Sequence, residues 1–402
     1  MNKVQTAYFG SPDFSASFLE KVLTDPDLKK VIEIKLVVTQ SDKPVGRKQI
    51  LTETPVKKVA KKYGIKIFEN KSKAQSTKSE TNLKSKIINQ KRFELLNLKN
   101  LNLFRASNFE FRIFNQIDLC LVYAFSQIIP KDLLRAPKLG FWNIHPSLLP
   151  KYRGPSPIAY PLIFGEKETG VTIIKMDEKI DHGPIIAQEK LKIEGTNRRP
   201  DLEKKLTDLG FKIFHHIILN LPCLPAGRFQ DLKTKYESFD WKNRIKLISQ
   251  NHSQATYTRL LKKQDGFIPL PILKKAIKNE PLKFEELPMI VKEYLIKNPK
   301  SQILNPKQNV IPAKAGIQKN YIDSRFCGNG NQFRISSKIV YHYFRGLHPW
   351  PGIWTLLPNG KRLKIIDMNL NVTRSTLHVT RVQLEGKKEV DFKTFNRAYK
   401  VF

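Results

Sequence analysis

Gly140-Phe141-Trp142-Asn143-Ile144-His145-Pro146-Ser147-Leu148-Leu149-Pro150-Lys151-Tyr152-Arg153-Gly154, followed downstream by Asp181-His182-Gly183-Pro184, decides how this chain is read. Residues 140–144 read as a strand. Side chains two apart on a strand face the same way, so Asn143 and His145 project together from its carboxyl end. Pro146 reinforces this, because it pushes His145 toward extended geometry. With Asp181, the two stretches supply an amide, an imidazole and a carboxylate. A tetrahedral oxyanion, such as forms when a nucleophile attacks an acyl carbon, needs hydrogen-bond donors and a group that manages a proton. Asn143 and His145 meet those needs, and Asp181 can orient or charge the imidazole. His145 alone reads more readily as a structural histidine; its neighbours reverse that.

Outward from this stretch the chain alternates strands and helices. Residues 4–9 form a short apolar run closed by Gly10-Ser11-Pro12, and residues 14–23 read as an amphipathic helix. Residues 32–39 give the next strand. Thr54-Pro55 opens a helix through Lys62, with proline at an early helical position, and Gly64 ends it before a strand at 65–68. Residues 117–123 are almost continuously apolar, as buried parallel strands tend to be, and residues 171–176 follow as a further strand. This order predicts an α/β fold with a parallel-rich, Rossmann-like sheet. Ligand sites in such sheets lie at strand carboxyl ends, where Asn143 and His145 fall.

At 402 residues the chain is long enough for two domains. Its net charge of +35 favours a polyanionic partner, because lysine and arginine neutralise phosphates and release counterions. Lysine-rich composition also arises without any nucleic-acid role, so the charge is a prior only. Cys120, Cys223 and Cys327 are too few and too scattered for a disulfide framework or a metal site; Cys120 reads as a small core residue. No apolar stretch reaches about 18 residues and the chain enters a strand pattern at once, so neither a membrane span nor a signal segment is expected. The expected location is cytoplasmic. A phosphate-binding P-loop, a Cys-x-x-Cys pair and a Gly-x-Ser-x-Gly elbow are all missing, and Gly10-Ser11-Pro12 is not a dinucleotide fingerprint.

The run from Asn143 to Gly154, with Asp181-His182-Gly183-Pro184, resembles the 10-formyltetrahydrofolate-dependent formyltransferases. The resemblance begins at Ala7-Tyr8-Phe9-Gly10-Ser11-Pro12-Asp13-Phe14, continues through Thr39-Gln40-Ser41-Asp42-Lys43-Pro44-Val45-Gly46-Arg47, and is densest over residues 118–183. It resumes at Tyr343-Phe344-Arg345-Gly346-Leu347-His348-Pro349-Trp350-Pro351-Gly352-Ile353-Trp354. It implies a catalytic trio of Asn143, His145 and Asp181, and 10-formyltetrahydrofolate as one-carbon donor with no metal. It implies a donor pocket formed by Phe125, Ser126, Gln127 and Ile128 with Ser147, Leu148, Leu149 and Pro150. It further implies that initiator methionyl-tRNA is the acceptor, contacted through Lys43, Arg47, Lys48 and Arg153. No protein partner is implied. Phe125-Ser126 stands where the family has Tyr-Gly, His182 where a threonine is common, and Pro161 interrupts the helix after the Arg153-Gly154 loop.

The expected domains are a formyltransferase domain at 1–205, a linker at 206–240, and a C-terminal OB-like barrel at 241–402 built from strands at 338–343, 363–368 and 377–385. Trp350 and Trp354 read as core aromatics of that barrel. Residues 71–116, 221–229 and 303–333 read as insertions, the last resembling a translated intergenic repeat, and are expected to be loops. Two rival functions stand beside the first: a formyltransferase acting on a nucleotide-linked amine, and a basic RNA-binding protein whose catalysis has been abolished. The length beyond residue 205 separates the first rival, and folate binding the second.

Overall fold

The computed structural model describes residues 3–45, 48–70, 114, 116–220, 247–283, 286–297, 332–333, 336–371 and 373–402. The expected insertion at 221–229 lies outside these residues, as does nearly all of the other two. Their ends do not. Phe114 is buried in a core with its ring 6.1 Å from that of Phe9, and Phe333 pairs antiparallel with Leu282. At the margins of the spans 71–116 and 303–333, an aromatic and a strand residue thus serve the fold.

The chain divides into two compact units that alternate along the sequence. The first takes Met1–Pro146, Val171–Glu189 and Leu206–Gln250; the second takes Ser147–Gly170, Lys190–Lys205 and Asn251–Phe402.

The first unit is organised by strands β1 (Val4–Gly10), β2 (Ile32–Gln40), β3 (Lys43–Val45), β4 (Ile50–Thr52), β5 (Lys66–Asn70), β6 (Leu119–Tyr123), β7 (Phe141–His145), β8 (Glu168–Lys175) and β9 (Ile185–Lys192), the last two running on beyond it. Seven of them form one sheet in the order β5-β2-β1-β6-β7-β8-β9. β1 is parallel to both β2 and β6, β2 to β5, and β6 to β7, while β8 runs antiparallel to β7. All five residues of β6 are buried, Cys120 among them, which explains their unbroken apolar character. The chain proceeds from β1 outward to β2 and β5, then returns to the other side of β1 as β6. That reversal opens a crevice at the carboxyl ends of β1 and β6, the usual ligand position in such sheets.

Hydrogen bonds buried at this switch point tie its parts together. Tyr8 donates to Ser15 O at 2.8 Å, Ser15 Oγ donates to Tyr123 O at 2.8 Å, and the Tyr123 hydroxyl lies 3.0 Å from Thr207 Oγ1. The Asp13–Thr24 helix is thereby fixed to β1 and β6, and burial raises the Tyr8 phenol well above its ordinary pKa. Gly10 permits this closeness: a Cβ there would lie 2.0 Å from Ser15 Oγ and 2.9 Å from Tyr123 O. The helix Pro55–Lys62 starts as its sequence predicts, with Thr54 Oγ1 accepting from Lys57 N at 3.1 Å.

The second unit holds β10 (Leu282–Lys283), β11 (Gln332–Phe333), β12 (Ile353–Leu356), β13 (Arg362–Asn371), β14 (Thr376–Leu384) and β15 (Glu389–Asp391). The last four form an antiparallel sheet in chain order. Two of its strands were foreseen at 363–368 and 377–385. The strand expected at 338–343 is instead part of the helix Ser336–Leu347. A six-residue window rich in Ile, Val and Tyr mimics a strand, but the buried positions Val340, Tyr343, Phe344 and Leu347 recur at helical spacing. Trp350 is likewise not a core residue, being 52% exposed. Trp354 does pack, with its ring 4.8 Å from Phe267 and its Nε1 donating to Lys263 O at 3.2 Å. Pro161 sits inside the five-residue helix Ala159–Ile163. Among the described residues no helix is long and apolar enough to cross a membrane.

Gly10→Ala is expected to lower stability by about 1–3 kcal/mol, because backbone and a fixed hydroxyl would both have to give way. Urea denaturation measures this, and an unchanged midpoint would show that the switch point is looser than these contacts require.

Candidate functional site

β7 ends with Asn143 and His145 on one face, while the alternate residues Trp142 and Ile144 are buried on the other. The strand is held from both sides, with Val122 opposite Asn143 in β6 and Thr172 opposite His145 in β8. His145 is only 4% exposed. Asp181 arrives on the loop after β8 and joins the two: Asn143 Nδ2 donates to Asp181 Oδ1 at 3.1 Å, and His145 Nδ1 lies 3.6 Å from the same oxygen. The second distance is that of an ion pair rather than a hydrogen bond. The structure thus brings together the three residues that the sequence placed in two separate stretches.

The loop carrying Asp181 is tightly constrained. Asp181 has φ of +48°, in the left-handed region. A Cβ at Gly183 would lie 1.9 Å from Lys175 O, so only glycine fits that approach. His182 Nδ1 lies 2.6 Å from Asp177 Oδ2, closing the loop on its outer side. Gln250 was not foreseen. It is buried, and its Nε2 donates to Asp181 O at 2.9 Å and to Gly183 O at 2.7 Å. A lone polar residue near 250 carries no motif, so its role becomes visible only once the chain is folded.

The segment after β6 also belongs to the first unit. Ala124 takes φ of +54° and turns the chain out of the strand, leaving Phe125 and Gln127 half-buried and Ser126 and Ile128 exposed. The Phe125 ring meets Phe9 edge-on at 5.3 Å. This segment lies at the switch point between β1 and β6, where the fold leaves its crevice.

The other expected donor residues belong to the second unit. Ser147 and Leu149 are buried, Leu148 and Pro150 partly so, and Ser147 Oγ donates to Lys151 O at 2.7 Å. Arg153, expected to meet tRNA, is 2% exposed: its Nη2 lies 2.8 Å from His252 Nδ1 and its Nη1 3.4 Å from the Tyr257 hydroxyl. Its backbone is also bonded on both sides, to Thr256 O and from Thr258 N. That environment makes Arg153 an anchor for its loop. Sequence alone does not show this inward packing, because an arginine in a Gly-containing loop looks the same whether it points outward or inward.

Of the basic residues expected on the hairpin β3–β4, Lys43 and Lys48 are exposed and Arg47 lies outside the described residues. The root of the hairpin is firm. Lys57 Nζ lies 2.8 Å from Asp42 Oδ1 and 2.6 Å from Glu69 Oε1, and hydrogen bonds to these carboxylates hold its ammonium above the ordinary lysine value. Elsewhere, Asp25, Asp27 and His215 bring possible metal ligands within 4.8 Å of one another, but Asp27 pairs with Lys30 at 2.7 Å and Asp25 accepts two backbone N–H groups.

Asn143, His145 and Asp181 thus gather an amide, an imidazole and a carboxylate at one strand end of a parallel-rich sheet. The Formyl transferase family pattern matches residues 5–218, more than half of the chain, and the chain belongs to that family. A methionyl-tRNA formyltransferase from Caldicellulosiruptor saccharolyticus is 28% identical over 98% of this chain and 96% of its own. Another from Kosmotoga olearia is 35% identical over 66% of this chain and 68% of its own. A solved N-formyltransferase from Helicobacter canadensis is 16% identical, covering 92% of this chain and 88% of its own, with a TM-score of 0.47.

Gly183→Ala is expected to reduce turnover by about a hundredfold, since moving a reacting group by about 1 Å has that cost. Steady-state rates check this; a variant with wild-type turnover would show that the loop tolerates a side chain there.

Proposed function

We propose that this chain transfers the formyl group of 10-formyltetrahydrofolate to the amino group of initiator methionyl-tRNA, in the cytoplasm, yielding formylmethionyl-tRNA and tetrahydrofolate. The observation that carries the reading is the meeting of Asn143, His145 and Asp181 at the end of β7 in a chain of this family. The segment from Phe125 to Ile128, beside the crevice, is the proposed seat of the pterin; Ser147, Leu148, Leu149 and Pro150 are further residues proposed to meet the donor.

In this reading the amine lone pair attacks the formyl carbon and the carbonyl oxygen becomes an oxyanion. Asn143 has two amide hydrogens: one is donated to Asp181, and the other serves the oxyanion. His145 donates to the same oxygen from Nε2, the ring nitrogen remote from Asp181. Asp181 holds both donors and takes up the amine proton through water. Collapse of the intermediate breaks the bond to N10, which leaves with the proton that Asp181 returns through water. Much of the acceleration comes from holding the two substrates in place. The exposed cations Lys43 and Lys48, with Arg47, meet the acceptor end of the tRNA, where arginine's planar fork suits phosphate and base edges. The C-terminal antiparallel sheet unit is the proposed OB-like body that holds the rest of the tRNA. A tRNA acceptor fits the net charge of +35.

Replacing His145 with alanine is expected to lower turnover on charged initiator tRNA by about a hundredfold to a thousandfold while the fold persists. Near-normal turnover with both substrates present would refute the mechanism. Lys43→Ala combined with Arg47→Ala should raise KM for tRNA far more than KM for the folate donor. Binding of the wild-type chain to tRNA should fall steeply with salt. Equal losses toward both substrates would remove the hairpin from the tRNA interface.

A further inference from the structure

We infer that Gln250 is a positioning residue for the reaction, acting through Asp181 by holding the backbone on both sides of His182. The inference rests on the assignment of Asp181 to the catalytic trio. Gln250 Nε2 carries two hydrogens, and both acceptors within its reach are carbonyl oxygens, Asp181 O at 2.9 Å and Gly183 O at 2.7 Å. Two carbonyls facing one amide require its NH2 end, so this orientation is fixed by chemistry. Gln250 comes from a segment 67 and 69 residues away in sequence from its two acceptors.

The same segment is paired to the chain just beyond the loop. Ile248 and Ile185 exchange backbone hydrogen bonds at 2.8 and 2.9 Å. Residues 248–250 therefore strap residues 181–185 from one side. On the other side Gly183 abuts Lys175 O, and Lys175 N donates to Pro184 O at 3.0 Å. Between these two restraints Asp181 keeps a left-handed backbone that an aspartate seldom adopts unaided, and its Oδ1 stays within reach of both Asn143 and His145. Releasing the strap lets the backbone relax and carries Oδ1 away from its two partners. Leucine at 250 would fill the space without donating. Glutamate would keep the shape and set carboxylate oxygens against the two carbonyls.

The test uses the full chain and its Gln250→Leu and Gln250→Glu variants, each also placed in the Asp181→Asn background. Gln250→Leu is expected to lower kcat by about ten- to a hundredfold, as for misplacement of a reacting group, with KM for the folate donor within about twofold. In the Asp181→Asn background the same change should cost less than about twofold, because residues acting through one group are not additive. A kcat that is unchanged, or an equal loss in both backgrounds, overturns the inference. If Gln250→Leu fails to fold, Gln250→Glu decides on the same criteria. The NMR chemical shifts of the His145 ring at one fixed pH supply a readout independent of turnover. They should move in Gln250→Leu in the same direction as in Asp181→Asn, and signals superimposable on the wild type overturn the inference. If the wild-type chain does not formylate methionyl-tRNA, the proposed function fails, while the ring signals still judge Gln250.

Discussion

One carboxylate oxygen, Asp181 Oδ1, is the point on which the site depends. It accepts from Asn143 and lies at ion-pair distance from His145, so a single atom sets the direction of both proposed donors. Such sharing is useful only if the atom does not move. The surrounding loop meets that condition by close backbone approach at Gly183, by the His182 to Asp177 contact, and by the two hydrogen bonds from Gln250. Preorganised donors stabilise a developing charge without reorganising at the moment of reaction, which is why rigidity here has chemical value.

The scaffold beneath works by the same logic. β7 holds its position because β6 and β8 pair with it on either side, and β6 in turn is fixed to β1 through the Tyr8, Ser15 and Tyr123 bonds. Buried hydroxyls at a sheet's switch point are costly unless satisfied, and here each is paired. The result is a crevice whose floor is tied to β7. The hairpin β3–β4 differs in kind: its sides are exposed, and its root is fixed by Lys57 among carboxylates. A firm base under an exposed basic ribbon suits an element that meets a large polyanion.

The α/β architecture, the strands β1, β2, β5, β6, β7 and β8, and the shared face of Asn143 and His145 were legible in the sequence because each rests on local rules. Unbroken apolar runs mark buried parallel strands, Thr54-Pro55 marks a helix start, and alternate residues on a strand share a face. The second unit was less legible. Residues 338–343 are short, β-branched and aromatic, and only the longer span through Leu347 exposes the helical period. Trp350 was expected in a core and is exposed, since an aromatic between prolines carries no signal of which way it faces.

By itself the sequence determined which chemical groups are present and which strand ends carry them, because side-chain type and strand periodicity are properties of short segments. Tertiary structure alone decided that Arg153 turns inward to His252 and Tyr257, that Phe114 joins the core beside Phe9, and that Gln250 reaches the Asp181 loop. Those outcomes depend on partners about a hundred or about seventy residues away, and no local pattern encodes a hydrogen bond across that distance.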